Sequence, residues 1–200
     1  MTTNQLPPAA ALLVHTVKDF DRWKQAFDDH QPAREAAGIL GHHINRSEDD
    51  PNVISIYLAV SDLEQARAFS ETDDLRRTME TAGVVGPPQV SWMTPVREQI
   101  VWEGEHPACL VKHRVDDFDR WLKEYDAVDE MRRAKGIIGH AANRSRDDES
   151  MAIVYHQADA FSTLRTFLGS SDLANAMEDG GVISEPEITF HTGGWAARYG

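Results

Sequence analysis

The sequence predicts an α+β protein made of two copies of one βαββαβ unit, joined head to tail. Two observations carry this: the chain repeats itself at a fixed offset, and strand and helix periodicities alternate in the same order in each copy. Residues 15–23 read His-Thr-Val-Lys-Asp-Phe-Asp-Arg-Trp and residues 113–121 read His-Arg-Val-Asp-Asp-Phe-Asp-Arg-Trp, an offset of 98. The same offset carries Gly38 to Gly136, Gly41-His42 to Gly139-His140, Asn45-Arg46-Ser47 to Asn143-Arg144-Ser145, Tyr57 to Tyr155 and Gly83-Val84 to Gly181-Val182. Without a gap, roughly thirty of about eighty positions agree, which marks a duplication.

Each copy opens on a β-rich run, residues 11–17 and 109–115. Asp19 and Asp117 follow where a helix N-cap belongs, because a carboxylate there accepts a free backbone N–H. Phe20, Trp23 and Phe27, with Phe118, Trp121 and Tyr125, recur at helical spacing and give one apolar face. Pro32 breaks the first helix near its end; the second copy has no proline there and is expected to continue smoothly. Gly38 and Gly136 stop the helices. A hairpin follows, with strands at 39–46 and 53–60 around the Asp-Asp-Pro-Asn turn. The second helix runs from Asp62, breaks near 70–73 and resumes to Gly83. Residues 89–93 and 187–191 form the fourth strands, and 99–102 an added arm strand. The domains are therefore read as 1–95 and 108–200, with 96–107 as linker and arm. Ile54, Ile56, Leu58 and Val60 alternate with Val53, Tyr57 and Ala59, so both sheet faces are apolar and need cover. The second copy offers that cover, which predicts two ferredoxin-like domains packed sheet to sheet as an intrachain pseudo-dimer. Further pairing of whole chains is left open.

Composition narrows the class. The net charge of −13 is spread along the chain, which argues against nucleic acid and anionic membrane surfaces as partners. No apolar run is long enough to span a bilayer, and the N-terminus lacks the charged and apolar regions of a signal peptide. The single cysteine, Cys109, cannot form an intrachain disulfide. These features together lead to the expectation of a cytoplasmic location. Dinucleotide, Walker-type and His-Glu-x-x-His motifs are absent, so no cofactor and no metal site is expected.

The run His-x-Val-x-Asp-Phe-Asp-x-Trp, Arg34 before Gly38, the Asp-Asp-Pro-Asn turn and Asp-Leu-x-x-x-Met-x-x-Ala-Gly-Val (74–84) resemble the dimeric α+β barrel proteins. The resemblance is to the antibiotic biosynthesis monooxygenase-like or polyketide cyclase-like members, and it covers about residues 12–93 and 110–191. It implies a barrel in which fusion replaces the usual dimer, with a ligand pocket between the sheet and the helices of each domain. The fold hosts cofactor-independent oxygenases, cyclases, dehydratases and haem-degrading enzymes. The asparagine–histidine–tryptophan pattern of the haem-degrading relatives is not recognisable here.

His15 and His113 lie on otherwise apolar strand faces, where an imidazole serves either as a general base or as a hydrogen-bonded core residue. Arg34 lies about 20° from Trp23 around the helix axis, so its guanidinium needs a partner in an apolar stripe. That partner is a substrate anion, or else its own helix's last carbonyls or an Asp. These four residues, His15, Arg34, His113 and Arg132, are the catalytic candidates. Tyr57, Tyr155, His42 and His140 are candidate substrate contacts, though core or surface roles suit them as well. Asn45-Arg46-Ser47 and its copy read as turn structure. In copy two, Lys112 and Arg114 replace Val14 and Thr16, His156 replaces Leu58 and His191 replaces Met93. These changes make the second pocket the better candidate, with His156 and His191 as neighbours of His113. The functional expectation is a cofactor-independent cyclase, isomerase or monooxygenase of secondary metabolism, acting on a hydrophobic aromatic or polyketide-like molecule. Its rival is a non-catalytic small-molecule binder or stress-response protein.

Overall fold

The computed structural model describes residues 6–199, and its contacts divide the chain into two units. Unit one contains β1 (Ala9–Val17), α1 (Phe20–Asp29), α2 (Gln31–Ala36), β2 (Ile39–Ser47), β3 (Val53–Val60), α3 (Leu63–Ser70), α4 (Asp73–Ala82) and the first part of β4 (Val84–Gln99). β1 is central, pairing antiparallel with β3 (Leu12 opposite Tyr57) and with β4 (Leu12 opposite Ser91). β2 adds outside β3, with Ile44 opposite Ile56, giving the ferredoxin-like order β4-β1-β3-β2.

Unit two repeats this with β5 (His106–Arg114), α5 (Phe118–Ala127), α6 (Asp129–Ala134), β6 (Ile137–Ser145), β7 (Met151–Ala158), α7 (Phe161–Leu168), α8 (Ser171–Asp179) and the first part of β8 (Glu187–Arg198). Its order is β8-β5-β7-β6. Each unit is a ferredoxin-like α+β fold. Among the described residues, no helix is long and apolar enough to cross a membrane.

The local signals act as chemistry requires. The Asp19 and Asp117 carboxylates accept from the backbone N–H of Arg22 and Arg120 at 2.8 and 2.9 Å. Gly38, Gly83 and Gly136 follow their helices with φ of +76°, +87° and +83°, where a side chain would be strained. In the hairpin turns, Arg46 Nε donates to the Pro51 carbonyl at 2.8 Å and Arg144 Nε to that of Glu149 at 2.9 Å.

The expected smooth helix in copy two is overturned: α5 ends at Ala127 and α6 begins at Asp129, although no proline is present. Both copies break at the same place because Arg34 and Arg132 turn back to the carbonyls of Phe27 and Tyr125. A carbonyl held by a guanidinium does not need the next turn's N–H, so the break survives without Pro32.

The last strands depart from the predicted boundaries. β4 is one continuous strand rather than a short strand with a separate arm at 99–102, and the segment 84–88 belongs to it. Its residues from Thr94 group with unit two, and the end of β8 from Gly194 groups with unit one. In unit one the Tyr199 N–H bonds the Leu40 carbonyl at 2.8 Å. In unit two the Gln157 side chain pairs both ways with the Val101 backbone, at 2.8 and 3.1 Å.

Between sheet and helices lie two matching cores. Val17, Phe20, Trp23, Ile44, Ile54 and Ile56 fill unit one. Val111, Phe118, Trp121, Val154, Leu164 and Phe167 fill unit two. The arm fits unit one so closely that a Cβ on Gly41 would stand 2.6 Å from the Ala197 carbonyl oxygen. Gly41→Ala is therefore expected to cost about 1–3 kcal/mol, because backbone cannot yield as a side-chain end can. Urea denaturation measures it, and a midpoint equal to the wild-type value would contradict this packing.

Candidate functional site

Each unit has an apolar cavity between its sheet and its helices, at equivalent positions. In unit one it measures about 90 Å³ and is lined by Leu13, His15, Trp23, Phe27, Arg34 and Leu58, among others. In unit two it measures about 100 Å³, with Val111, His113, Trp121, Tyr125, Arg132 and His156 among its lining. The strand places the histidine and the broken helix places the arginine. The structure thus brings His15 together with Arg34, and His113 together with Arg132.

The histidines are held alike. His15 stands edge-on to Trp23 and His113 to Trp121, with ring centroids 5.7 and 5.6 Å apart. Among the described residues neither nitrogen of either ring has a hydrogen-bond partner. Burial disfavours their cations and pushes both pKa values down to about 4. The expectation that His113 titrates more abnormally than His15 is not met, because both sit in the same kind of apolar slot. The asymmetry lies elsewhere. His156, where copy one has Leu58, is buried against Phe167 and pushed down to about 3 by burial and then by the charge of Arg132.

The arginines differ. Arg34, 3% exposed, lies with Cζ 3.6 Å from the Phe27 ring centroid. It donates to the Phe27 carbonyl, and to the Tyr199 hydroxyl through Nε at 3.1 Å and Nη2 at 2.9 Å. Burial lowers its pKa, against the bond to Tyr199. Arg132, 2% exposed, lies with Cζ 4.1 Å from the Tyr125 ring centroid. It donates to the Tyr125 carbonyl at 2.7 Å and to Asp129 at 3.3 Å. Its Nε is buried with no partner among the described residues.

His42 and His140 are buried rather than exposed, and neither lines either of these two cavities. Each stands behind its arginine with Nδ1 2.7 Å from a phenol oxygen, Tyr199 for His42 and Tyr125 for His140. Burial, then Arg34, pushes His42 down to about 4. Tyr57 and Tyr155 do not line the cavities; they belong to the alternate face of their strands. His191 is outside the cavity too, its Nε2 2.8 Å from the Thr189 hydroxyl. Lys112 is half-buried, while Arg114 is exposed and pairs with Asp148 at 3.0 Å. Cys109 is buried and its thiol is pushed up to about 12 by burial, which makes it a poor nucleophile. Among the described residues, no group of three His, Cys, Asp or Glu side chains is placed to hold a metal ion.

Sequence reasoning missed Tyr125, Asp129 and Tyr199 as polar members of these sites. Two of them leave a trace in the repeat, where Tyr125 replaces Phe27 and Asp129 replaces Gln31. Tyr199 leaves none, because it reaches unit one from the far end of the chain.

No family model and no curated protein matches the sequence. Solved structures do. A candidate monooxygenase from Lactobacillus acidophilus NCFM superposes with a TM-score of 0.65 at 13% identity, covering 96% of each chain. One from Fusobacterium nucleatum gives 0.68 at 11% identity, over 98% of this chain and 96% of that one. An anthrone oxidase-like protein gives 0.69 at 10% identity, over 99% and 95%. The chain shares its α+β fold with these structures over nearly its whole length. At these identities the likeness establishes the fold and leaves the chemistry to the site.

Stability should follow the buried histidines of this fold. The unfolded chain takes up protons near pH 6.5, whereas His15, His42 and His113 in the folded chain resist them until about pH 4. Their contribution is complete above pH 6.5 and is lost as the pH falls towards 4. It amounts to about 3 kcal/mol for each fully shielded ring. Urea midpoints between pH 7 and 4.5 should fall steeply, and less so in His15→Phe. NMR signals of His15, His42 or His113 that titrate near pH 6.5 would contradict the burial.

Proposed function

We propose that the chain is a cofactor-independent monooxygenase acting on a hydrophobic aromatic or polyketide-like small molecule, with unit two as the working site. The observation that carries this is the set of buried polar atoms in the unit-two cavity that have no partner among the described residues: both nitrogens of His113, Nδ1 of His156 and Nε of Arg132. Such atoms cost stability unless something satisfies them, and an aryl ketone or phenol offers the matching acceptors and acids. In unit one Tyr199 already takes up the Arg34 donors, so that cavity is the less available.

The chemistry follows from the residue types. Burial keeps His113 neutral at physiological pH, so its lone pair is free to accept an activated C–H or phenolic proton. The substrate anion forms beside the fixed charge of Arg132, which stabilises it in a medium poor in water. An electron-rich aryl anion of this kind reacts with O₂ directly. For a methylene flanked by two aryl rings, as in anthrone, one O₂ converts CH₂ to C=O and releases one water. The names of the structural neighbours support this reaction over cyclisation or isomerisation.

The free volume favours the second reading, a binder without turnover. A cavity of about 100 Å³ is smaller than the ~300 Å³ at which ligand pockets usually begin. A three-ring substrate needs this cavity to widen, and Leu168, Leu173 and Met177 are among the side chains that line it.

Anthrone supplied with air to the full chain tests the proposal, following O₂ uptake and quinone absorbance. Uptake should match quinone mole for mole and persist in chelator, and His113→Ala or Arg132→Ala should lower it by about 100-fold or more. Binding without O₂ uptake would establish the second reading instead.

A further inference from the structure

The oxidation just described moves two C–H protons, and among the described residues neither ring nitrogen of His113 has a hydrogen-bond partner that would hold its cation. Behind Tyr125 lies an arrangement with such a group. The Tyr125 hydroxyl stands 2.7 Å from His140 Nδ1, and His140 Nε2 stands 3.1 Å from Asp129 Oδ1. Tyr125 and His140 are buried, whereas the Asp129 side chain is 25% exposed and so remains a solvated carboxylate. Asp129 is also held by Arg132 at 3.3 Å and by Arg133 at 2.5 Å. An acid–base residue whose ring is oriented by a carboxylate is the arrangement that activates hydroxyl groups in hydrolases.

Resting on the oxygenase reading, we propose that Tyr125, His140 and Asp129 form a second acid–base relay of the unit-two site, with the Tyr125 hydroxyl as its substrate-facing end. His113 takes the first C–H proton. O₂ adds to the resulting carbon anion, and the His113 cation returns its proton to the peroxide anion, giving a hydroperoxide. The phenol oxygen of Tyr125 then takes the second C–H proton while its own proton passes to His140 Nδ1. As that C–H pair becomes the new C=O bond, the O–O bond breaks and hydroxide leaves. The His140 cation, paired with Asp129, returns its proton through Tyr125 to the hydroxide, forming water. Substrate and O₂ become ketone and water, and every residue ends as it began.

Unit one lacks this relay. Phe27 stands where Tyr125 does, and Gln31 stands where Asp129 does and bonds Glu35 at 2.6 Å. His42 has its phenol from Tyr199, which does not line the cavity and is held by Arg34. The duplication thus kept the histidine in both copies and built the acid–base chain in one.

Two measurements on the full-length protein test the relay. In long-range ¹H–¹⁵N NMR spectra His140 should be the neutral Nε2–H form, bonded to Asp129, and Asp129→Asn should disturb it. A wild-type Nδ1–H form would overturn the relay with or without any turnover. With anthrone, Tyr125→Phe and Asp129→Asn should slow quinone formation by about tenfold or more relative to O₂ uptake, so that substrate hydroperoxide accumulates. Equal loss of uptake and quinone, with no hydroperoxide, would show a merely structural role and overturn the proposal. If the wild type takes up no O₂, the oxygenase reading falls, and the Nε2–H test still decides the geometry of the relay.

Discussion

Arg132 lies almost wholly inside an apolar stripe, and a guanidinium there must be met by groups that offset its lost hydration. The fold meets it with the Tyr125 carbonyl, the Asp129 carboxylate and the face of the Tyr125 ring. Arg34 makes the matching demand in unit one, met by Phe27 and Tyr199. Much of the site follows from this constraint. Turning a guanidinium back to a carbonyl seven residues earlier ends one helix and starts the next, which fixes the wall of the cavity. The charge beside the cavity also helps to keep His42, His140 and His156 neutral.

The two copies solve the same problem with different parts. The phenol beside the histidine comes from the helix in unit two and from the residue after the last strand in unit one. In unit two the carboxylate at 129 relieves the tyrosine of bonding the arginine, so the hydroxyl is left to His140. In unit one Arg34 occupies Tyr199 with two donors, and little is left for a ligand. A duplication that keeps its core can diverge in this way because buried aromatic positions tolerate Phe-to-Tyr exchange once a partner for the hydroxyl is at hand.

How much was legible in the sequence differs between fold and site. The first three strands of each copy, the capped helices, the hairpin and the second helix with its break all follow from patterns within about ten residues, and the repeat reads each of them twice. The pairing of His113 with Arg132 was within reach too, since both lie on the apolar faces of their elements. The break between α5 and α6 was not. It needs no proline or glycine, because a side chain four residues beyond it supplies the hydrogen bond.

By itself the sequence determined two ferredoxin-like units, their helix caps and the types of residue facing each core, because these depend on local periodicity and on hydrogen bonds a few residues long. Only the tertiary structure decided that His42 and His140 stand behind the arginines rather than in the cavity. Only it brought Tyr199 to Arg34, across 165 positions of chain. It alone also left Arg132 Nε without a partner among the described residues, while Arg34 Nε has one in Tyr199. The physical reason is one of range: whether a buried polar atom is satisfied depends on every group that arrives around it, and those groups come from distant parts of the chain that no local pattern relates.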